Sequence, residues 1–170
     1  FTEEDTIAHL AFLLEKAYMQ WVLNPEEHWR NTLEVALQMC EQAWMVPPVC
    51  ARAHELVSRI AIMQSDPQRA ESHATLAQVV LERIPHAVPT VNELTMRALL
   101  LQNKVSQALE EAEKTQKALA YYGSFGWAEV DVRSVLCEVY FAANEIEKAR
   151  EELKTAINQV KIRKDDITDP

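Results

Sequence analysis

The sequence predicts an all-α chain of about eight helices, folded as antiparallel hairpins and stacked as an alpha-alpha solenoid. Three observations carry that expectation. Helical periodicity runs from end to end, while period-two alternation is scarce. Prolines and polar pairs cut the periodic stretch into helix-sized segments joined by short turns, which favours antiparallel neighbours. The chain has only two glycines in 170 residues, against a usual share of about 7%. Tight hairpins and phosphate-cradling loops therefore lack the residue they depend on, which argues against a sandwich, a barrel or a nucleotide-binding α/β fold.

The first helix is expected from about Glu4 to Leu23, with Ile7, Leu10, Ala11, Leu14, Ala17 and Tyr18 on one face. Asn24-Pro25 stops it and starts the second, which carries Trp29, Leu33, Ala36, Leu37, Cys40 and Ala43 before Pro47-Pro48. A third helix, about Val49 to Gln64, holds Ala53, Leu56, Val57, Ile60 and Ala61. Ser65-Asp66-Pro67 then reads as a cap and a fresh start, leading to Ala70, Ala74, Ala77, Val80, Leu81 and Ile84 on the fourth. The fifth, about Val91 to Gln102, presents Leu94, Ala98, Leu99 and Leu101. The sixth carries Val105, Ala108, Leu109, Ala112, Ala118 and Leu119, and stops at Gly123, where glycine suits the residue just past a helix. Ser124 to Gly126 is a loop, Trp127 to Ala143 a seventh helix, and Glu145 to about Arg163 an eighth with an exposed charged face. The hairpins fall at about 4–45, 48–84, 90–122 and 127–163 of a single helical-repeat domain.

Each even-numbered helix has an alanine near its start: Ala36, Ala70, Ala108 and Ala149. Their spacing, rising from about 34 residues to about 41, lies in the range of solenoid repeats. The last hairpin is the most regular, with Leu136-Cys137, Tyr140, Asn144, Ala149, Leu153 and Ala156. This pattern resembles the tetratricopeptide repeat. Cys137 stands where that family has Gly or Ala, Tyr140 matches its aromatic, and Ala149 and Ala156 match its paired alanines. The third and fourth helices keep Val57-Ser58, Ala61, Ala70 and Ala77 but lose the aromatic. In the fifth and sixth, Met96 and Thr115 stand at positions that are usually small. The resemblance is to a degenerate array, as found in large multidomain bacterial signalling proteins, and implies a right-handed superhelix.

Charge narrows the partners. The net charge is −9 and the pI about 5.1, which argues against nucleic acid and anionic lipid surfaces as partners. The apolar stretches are too interrupted for a membrane span, and no signal-peptide pattern opens the chain. Three cysteines do not make a disulfide framework and fit a reducing, cytoplasmic compartment. The start at Phe1 and the close at Asp169-Pro170 predict a piece of a longer protein.

Little in the sequence points to chemistry. Cys50 and His54 share a helical face at metal-ligand spacing, but no second pair accompanies them, and His73 and Cys137 are placed elsewhere. They read as a packed cysteine beside a surface histidine. His54 and Glu55 point to different faces, so no nucleophile–base–carboxylate set forms. Gly123-Ser-Phe-Gly126 follows a helix and lacks the lysine of a phosphate loop. No catalytic residue, metal or cofactor is expected. The tryptophans, Trp21, Trp29, Trp44 and Trp127, either plug gaps between hairpins or anchor a partner. The acidic opening, Glu3-Glu4-Asp5, reads as a helix start.

The resemblance also implies a groove lined by the first helix of each hairpin. Aligned on Ser58, Met96 and Cys137, it takes Arg52, Glu55, Arg59, Ile62 and Met63 from the third helix. The fifth adds Glu93, Arg97, Leu100 and Leu101, and the seventh Asp131, Ser134, Glu138 and Phe141. Arginine grips carboxylates in bidentate fashion, so this row suits an extended peptide or partner helix. Equally, Arg52, Arg59 and Arg97 pair with Glu55, Glu93 and Glu138, and both readings stay open. As exposed groups, these arginines are expected to contribute little to stability. The function expected is non-catalytic protein–protein interaction, as a scaffold or adaptor. The alternative is a regulatory or sensor segment beside a kinase, cyclase or signal-transducing ATPase.

Overall fold

The computed structural model describes residues 3–24, 29–42, 47–82, 84, 87–123 and 128–168. Among these the protein is all-helical, with α1 Glu3–Leu23, α2 Trp29–Gln42, α3 Pro47–Met63, α4 Pro67–Val80, α5 Val88–Leu101, α6 Val105–Tyr122, α7 Ala128–Ala142 and α8 Ile146–Thr168. Each helix packs on the next in the chain, and the odd-numbered helices also touch in a row: α1 on α3, α3 on α5, α5 on α7.

Several helix limits depart from expectation: α3 begins at Pro47 rather than Val49, and α4 ends at Val80, so Leu81 and Ile84 stand beyond it. Helix α5 begins at Val88 rather than Val91, because Pro89 occupies its first turn, where a missing N–H costs nothing. Helix α8 runs past Arg163 to Thr168. Asp66 caps α4 as expected, its carboxylate accepting from the Arg69 N–H at 3.2 Å. Gly123 follows α6 with φ +81°. The expected boundary at Asn24-Pro25 and the loop at Ser124 to Gly126 fall on or run into positions outside the described residues.

One turn recurs three times. Ser65, Asn103 and Asn144 all have positive φ, at 57°, 58° and 61°. After each, the next residue's N–H reaches back to the preceding helix: Asp66 to Ala61 at 2.9 Å, Lys104 to Leu99 at 2.9 Å, Glu145 to Tyr140 at 2.8 Å. This six-to-one closure satisfies carbonyls that a helix end leaves open. Four residues beyond each stands the N–H of Ala70, Ala108 or Ala149, bonded to the first carbonyl of the new turn.

These alanines are buried, at 0%, 0% and 5% exposure. Their size lets the two helices of each pair approach. Ser58 works similarly: its hydroxyl is buried and donates to the Ala70 carbonyl at 2.8 Å, joining α3 to α4. The core continues from one helix pair to the next. Leu10, Leu14 and Ala17 of α1 meet Trp29, Leu33 and Ala36 of α2 and Leu56, Val57 and Ile60 of α3. Ala74 and Ala77 of α4, with Leu81 just past its end, meet Val91 and Leu94 of α5. Met96 and Leu99 of α5 join Ala108, Ala112 and Leu119 of α6, Val132, Leu136 and Tyr140 of α7, and Ala149 of α8. Leu101, expected in the apolar stripe of α5, is instead 47% exposed, being the last helical residue before the turn.

Candidate functional site

The turns bring three helix ends into matching positions. Ile62, Leu100 and Phe141 each stand three residues before Ser65, Asn103 and Asn144, and Arg59, Arg97 and Glu138 one helical turn earlier. An ion-pair ladder crosses the row. Arg59 of α3 meets Glu93 of α5 at 2.8 Å, Arg97 meets the other oxygen of Glu93 at 2.9 Å, and Arg97 reaches Glu138 of α7 at 3.3 Å. Arg52 pairs within its own helix, with Glu55 at 3.2 Å.

Glu93 corrects the expectation that it faces an open groove, for it is only 2% exposed. It lies under the two guanidiniums, on a helix contacted by α3, α4, α6 and α7. Burying a carboxylate is costly unless it is paired and hydrogen-bonded, and here both oxygens accept from arginine. The arginines are therefore partners of a buried carboxylate rather than free donors along a groove.

Exposed apolar side chains stand at the ends of the same three helices. Met63, Leu101 and Phe141 are 71%, 47% and 68% exposed. A shallow cleft of about 230 Å³ brings together Ile62, Arg97, Leu100, Leu101 and Glu138. Met63 and Phe141 stand outside its lining, and Arg52 takes no part in the ladder. Asp131 is exposed and Ser134 half-buried on α7.

Three arrangements escaped the sequence. His54 and His73 face each other across α3 and α4, with Nδ1 atoms 3.0 Å apart. This corrects the placement of His73 elsewhere and of His54 as a plain surface group, which is half-buried. Burial pushes His73 down to about 4, helped by the adjacent His54 and Arg69. Arg133 of α7 bridges Glu129 and Glu152, each at 2.8 Å, and Gln116 of α6 donates to Glu152 at 2.6 Å. The Glu129–Arg133 spacing was a legible signal; the partner on α8 was not. Gln78, Asn92 and Thr115 form a polar relay through α4, α5 and α6, with steps of 2.8 and 3.0 Å.

Trp29 is buried in the first core cluster, and Trp21 packs partly against it. Trp44 and Trp127 lie outside the described residues. Burial and a hydrogen bond with Cys50 push the Cys40 thiol up to about 12, far from the thiolate range. Among the described residues, no group of three or more His, Cys, Asp or Glu is arranged to hold a metal ion, and no helix is long and apolar enough to cross a membrane. The chain matches no protein-family model, and a search of curated proteins gives no match.

Proposed function

We propose that the chain is a tetratricopeptide-like array of antiparallel hairpins that binds a protein or peptide segment, without catalysis, along the row of α3, α5 and α7. The observation that carries the reading is the set of exposed apolar side chains at those three helix ends. Met63, Leu101 and Phe141 repeat at or beside one position of the repeated turn. Exposed apolar groups beside a polar rim suit a partner that inserts side chains at regular intervals.

The ladder divides the work among the charges. Glu93 occupies Arg59 and one edge of Arg97 and holds α3 against α5. The Arg97–Glu138 pair is looser, at 3.3 Å with Glu138 46% exposed. A partner's carboxylate would compete there, since an exposed pair contributes little.

The test begins with a random peptide library panned against the chain, followed by affinity measurements on a selected peptide. Leu101→Ser and Phe141→Ala are expected to weaken that peptide about tenfold or more, with helicity unchanged. Leu76→Ser, on exposed α4, is expected to leave it unaffected. Equal loss from all three substitutions would place the contact elsewhere.

A further inference from the structure

The repeated turn brings two positions together in each of three helix pairs. Eleven residues before Ser65, Asn103 and Asn144 stand His54, Asn92 and Arg133, and eight residues after them stand His73, Glu111 and Glu152. Between α7 and α8 the two positions meet as the Arg133–Glu152 bridge at 2.8 Å. Between α5 and α6, Asn92 and Glu111 line one cleft. Between α3 and α4 the same seam sets His54 against His73, with Nδ1 atoms 3.0 Å apart. The contact thus follows from the turn geometry, and it puts two imidazoles where another pair has opposite charges.

Two facing imidazoles offer more than a hydrogen bond. Neutral imidazole is the commonest metal ligand, through either ring nitrogen. Burial holds His73 down at about 4, so near pH 7 its ring is neutral and keeps a lone pair. At about 2.1 Å per metal–nitrogen bond, ligands at a right angle stand about 3.0 Å apart and tetrahedral ligands about 3.4 Å. The observed separation of 3.0 Å is within that reach. The ring centroids are 5.2 Å apart, so the two nitrogens aim nearly at one another. Rotation about the Cβ–Cγ bond of histidine has broad minima, and a modest turn of each ring points both lone pairs at one ion.

We propose that His54 and His73 together hold a divalent first-row transition-metal ion that clips α3 to α4. Two side chains fill two coordination positions and water fills the rest, so the ion is exchangeable, unlike an enclosed structural one. Without the ion, one Nδ1–H donates to the other Nδ1 across the 3.0 Å gap. On binding, that ring carries its proton on Nε2 instead, so both Nδ1 lone pairs face the ion and no proton is lost. Arg69, whose charge also lowers His73, is exposed and turns into solvent. Imidazole suits Zn²⁺, Ni²⁺ and Cu²⁺, with affinity greatest for Cu²⁺, whereas Mg²⁺ and Ca²⁺ take oxygen ligands. The site is independent of peptide binding along α3, α5 and α7.

Isothermal titration of the chelator-stripped chain with Zn²⁺ tests the site. One ion should bind per chain, and His54→Gln and His73→Gln should each weaken it about tenfold or more. His9→Gln, exposed on α1, should leave it unchanged, and Mg²⁺ should not bind. Because the ion recognises the folded seam, Zn²⁺ at about ten times its Kd should lower the unfolding constant of the parent chain about tenfold. Neither seam variant should gain that protection. Circular dichroism checks their helix content. Should a glutamine variant fail to fold, Cu²⁺ on the parent chain decides, since its electron paramagnetic resonance should show coupling to two ring nitrogens. A parent chain that binds no Zn²⁺ overturns the proposal. Binding that survives both substitutions overturns it too and assigns the ion to other groups, as does a Cu²⁺ spectrum with fewer than two nitrogen ligands.

Discussion

Glu93 of α5 is held between two arginines, Arg59 from the neighbouring helix α3 at 2.8 Å and Arg97 one turn along its own helix at 2.9 Å. The carboxylate is 2% exposed, while the arginine side chains are 32% and 29% exposed. Water reaches the cations but not the anion. Removing the cations therefore leaves a desolvated charge, whereas removing the anion leaves two arginines free to extend into solvent.

Arg59→Ala combined with Arg97→Ala should accordingly destabilise the chain by about 2–4 kcal/mol. Glu93→Leu with Arg59→Met and Arg97→Met should recover most of that loss, because no buried charge remains. Urea midpoints of the two variants check the pair of claims. Equal destabilisation by both would mean that packing, not the isolated carboxylate, sets the cost.

Ala149 is 5% exposed in the cluster that holds Leu136 and Tyr140. Ala149→Leu adds volume to a contact already closed and should cost about 1–3 kcal/mol. Ala120→Leu, on the exposed side of α6, is the control and should change the urea midpoint little. A midpoint for Ala149→Leu as high as that of the parent chain would contradict close packing at the repeated alanine.

The helices were legible because their signals are local. Asp66-Pro67 announces a helix start, Gly123 a helix stop, and the alanines recur at the spacing of the turns. Glu93 was not legible as a buried group. Next to Leu94 in sequence, Glu93 was expected to face an open groove. Packing by α3, α4, α6 and α7 buries α5 on nearly every side, so the polar side had to be satisfied by partners on other helices. The His54–His73 contact escaped for the same reason, since it joins residues nineteen apart on two facing helices. Ion pairing of Arg59 and Arg97 was one of the two readings the sequence left open. Which glutamate each arginine takes depends on how far the helices approach, a distance that spacing does not encode.

The pH dependence of stability should carry the signature of His73. Its folded pKa is lowered from 6.5 to about 4, first by burial, then by His54 and Arg69. The unfolded chain thus takes up a proton that the folded chain refuses. Stability from this source is fully present above pH 6.5 and is lost as pH falls toward about 4. With the ring only half-buried, the loss should be about 1–2 kcal/mol. His73→Gln should lose less stability between about pH 7.5 and about pH 4.5 than the parent chain does. Urea titrations at both pH values measure the difference, and parallel losses in the two proteins would assign the acid sensitivity to other groups.

The recurring turn offers a stability test at three equivalent positions. Ser65, Asn103 and Asn144 hold φ between 57° and 61°. A left-handed backbone costs a residue with a Cβ about 1–2 kcal/mol, less for asparagine, and almost nothing for glycine. Ser65 lacks asparagine's tolerance for this conformation, so Ser65→Gly should stabilise the chain by about 0.5–1 kcal/mol, the relief of strain being partly offset by a more flexible unfolded state. Asn144→Ala should destabilise it by about 1 kcal/mol, since alanine has the strain without a side chain that bonds locally. Asn103→Ala should behave like Asn144→Ala, because the backbone bonds around the two turns match within 0.1 Å, at 2.9 and 2.8 Å from Lys104 and Glu145. Thermal and urea unfolding of the three variants gives the answer. Opposite signs for Ser65→Gly and the two alanine variants would establish the turn as one structural unit used three times, whereas a destabilising Ser65→Gly would mean that the serine side chain contributes more than its backbone strain removes.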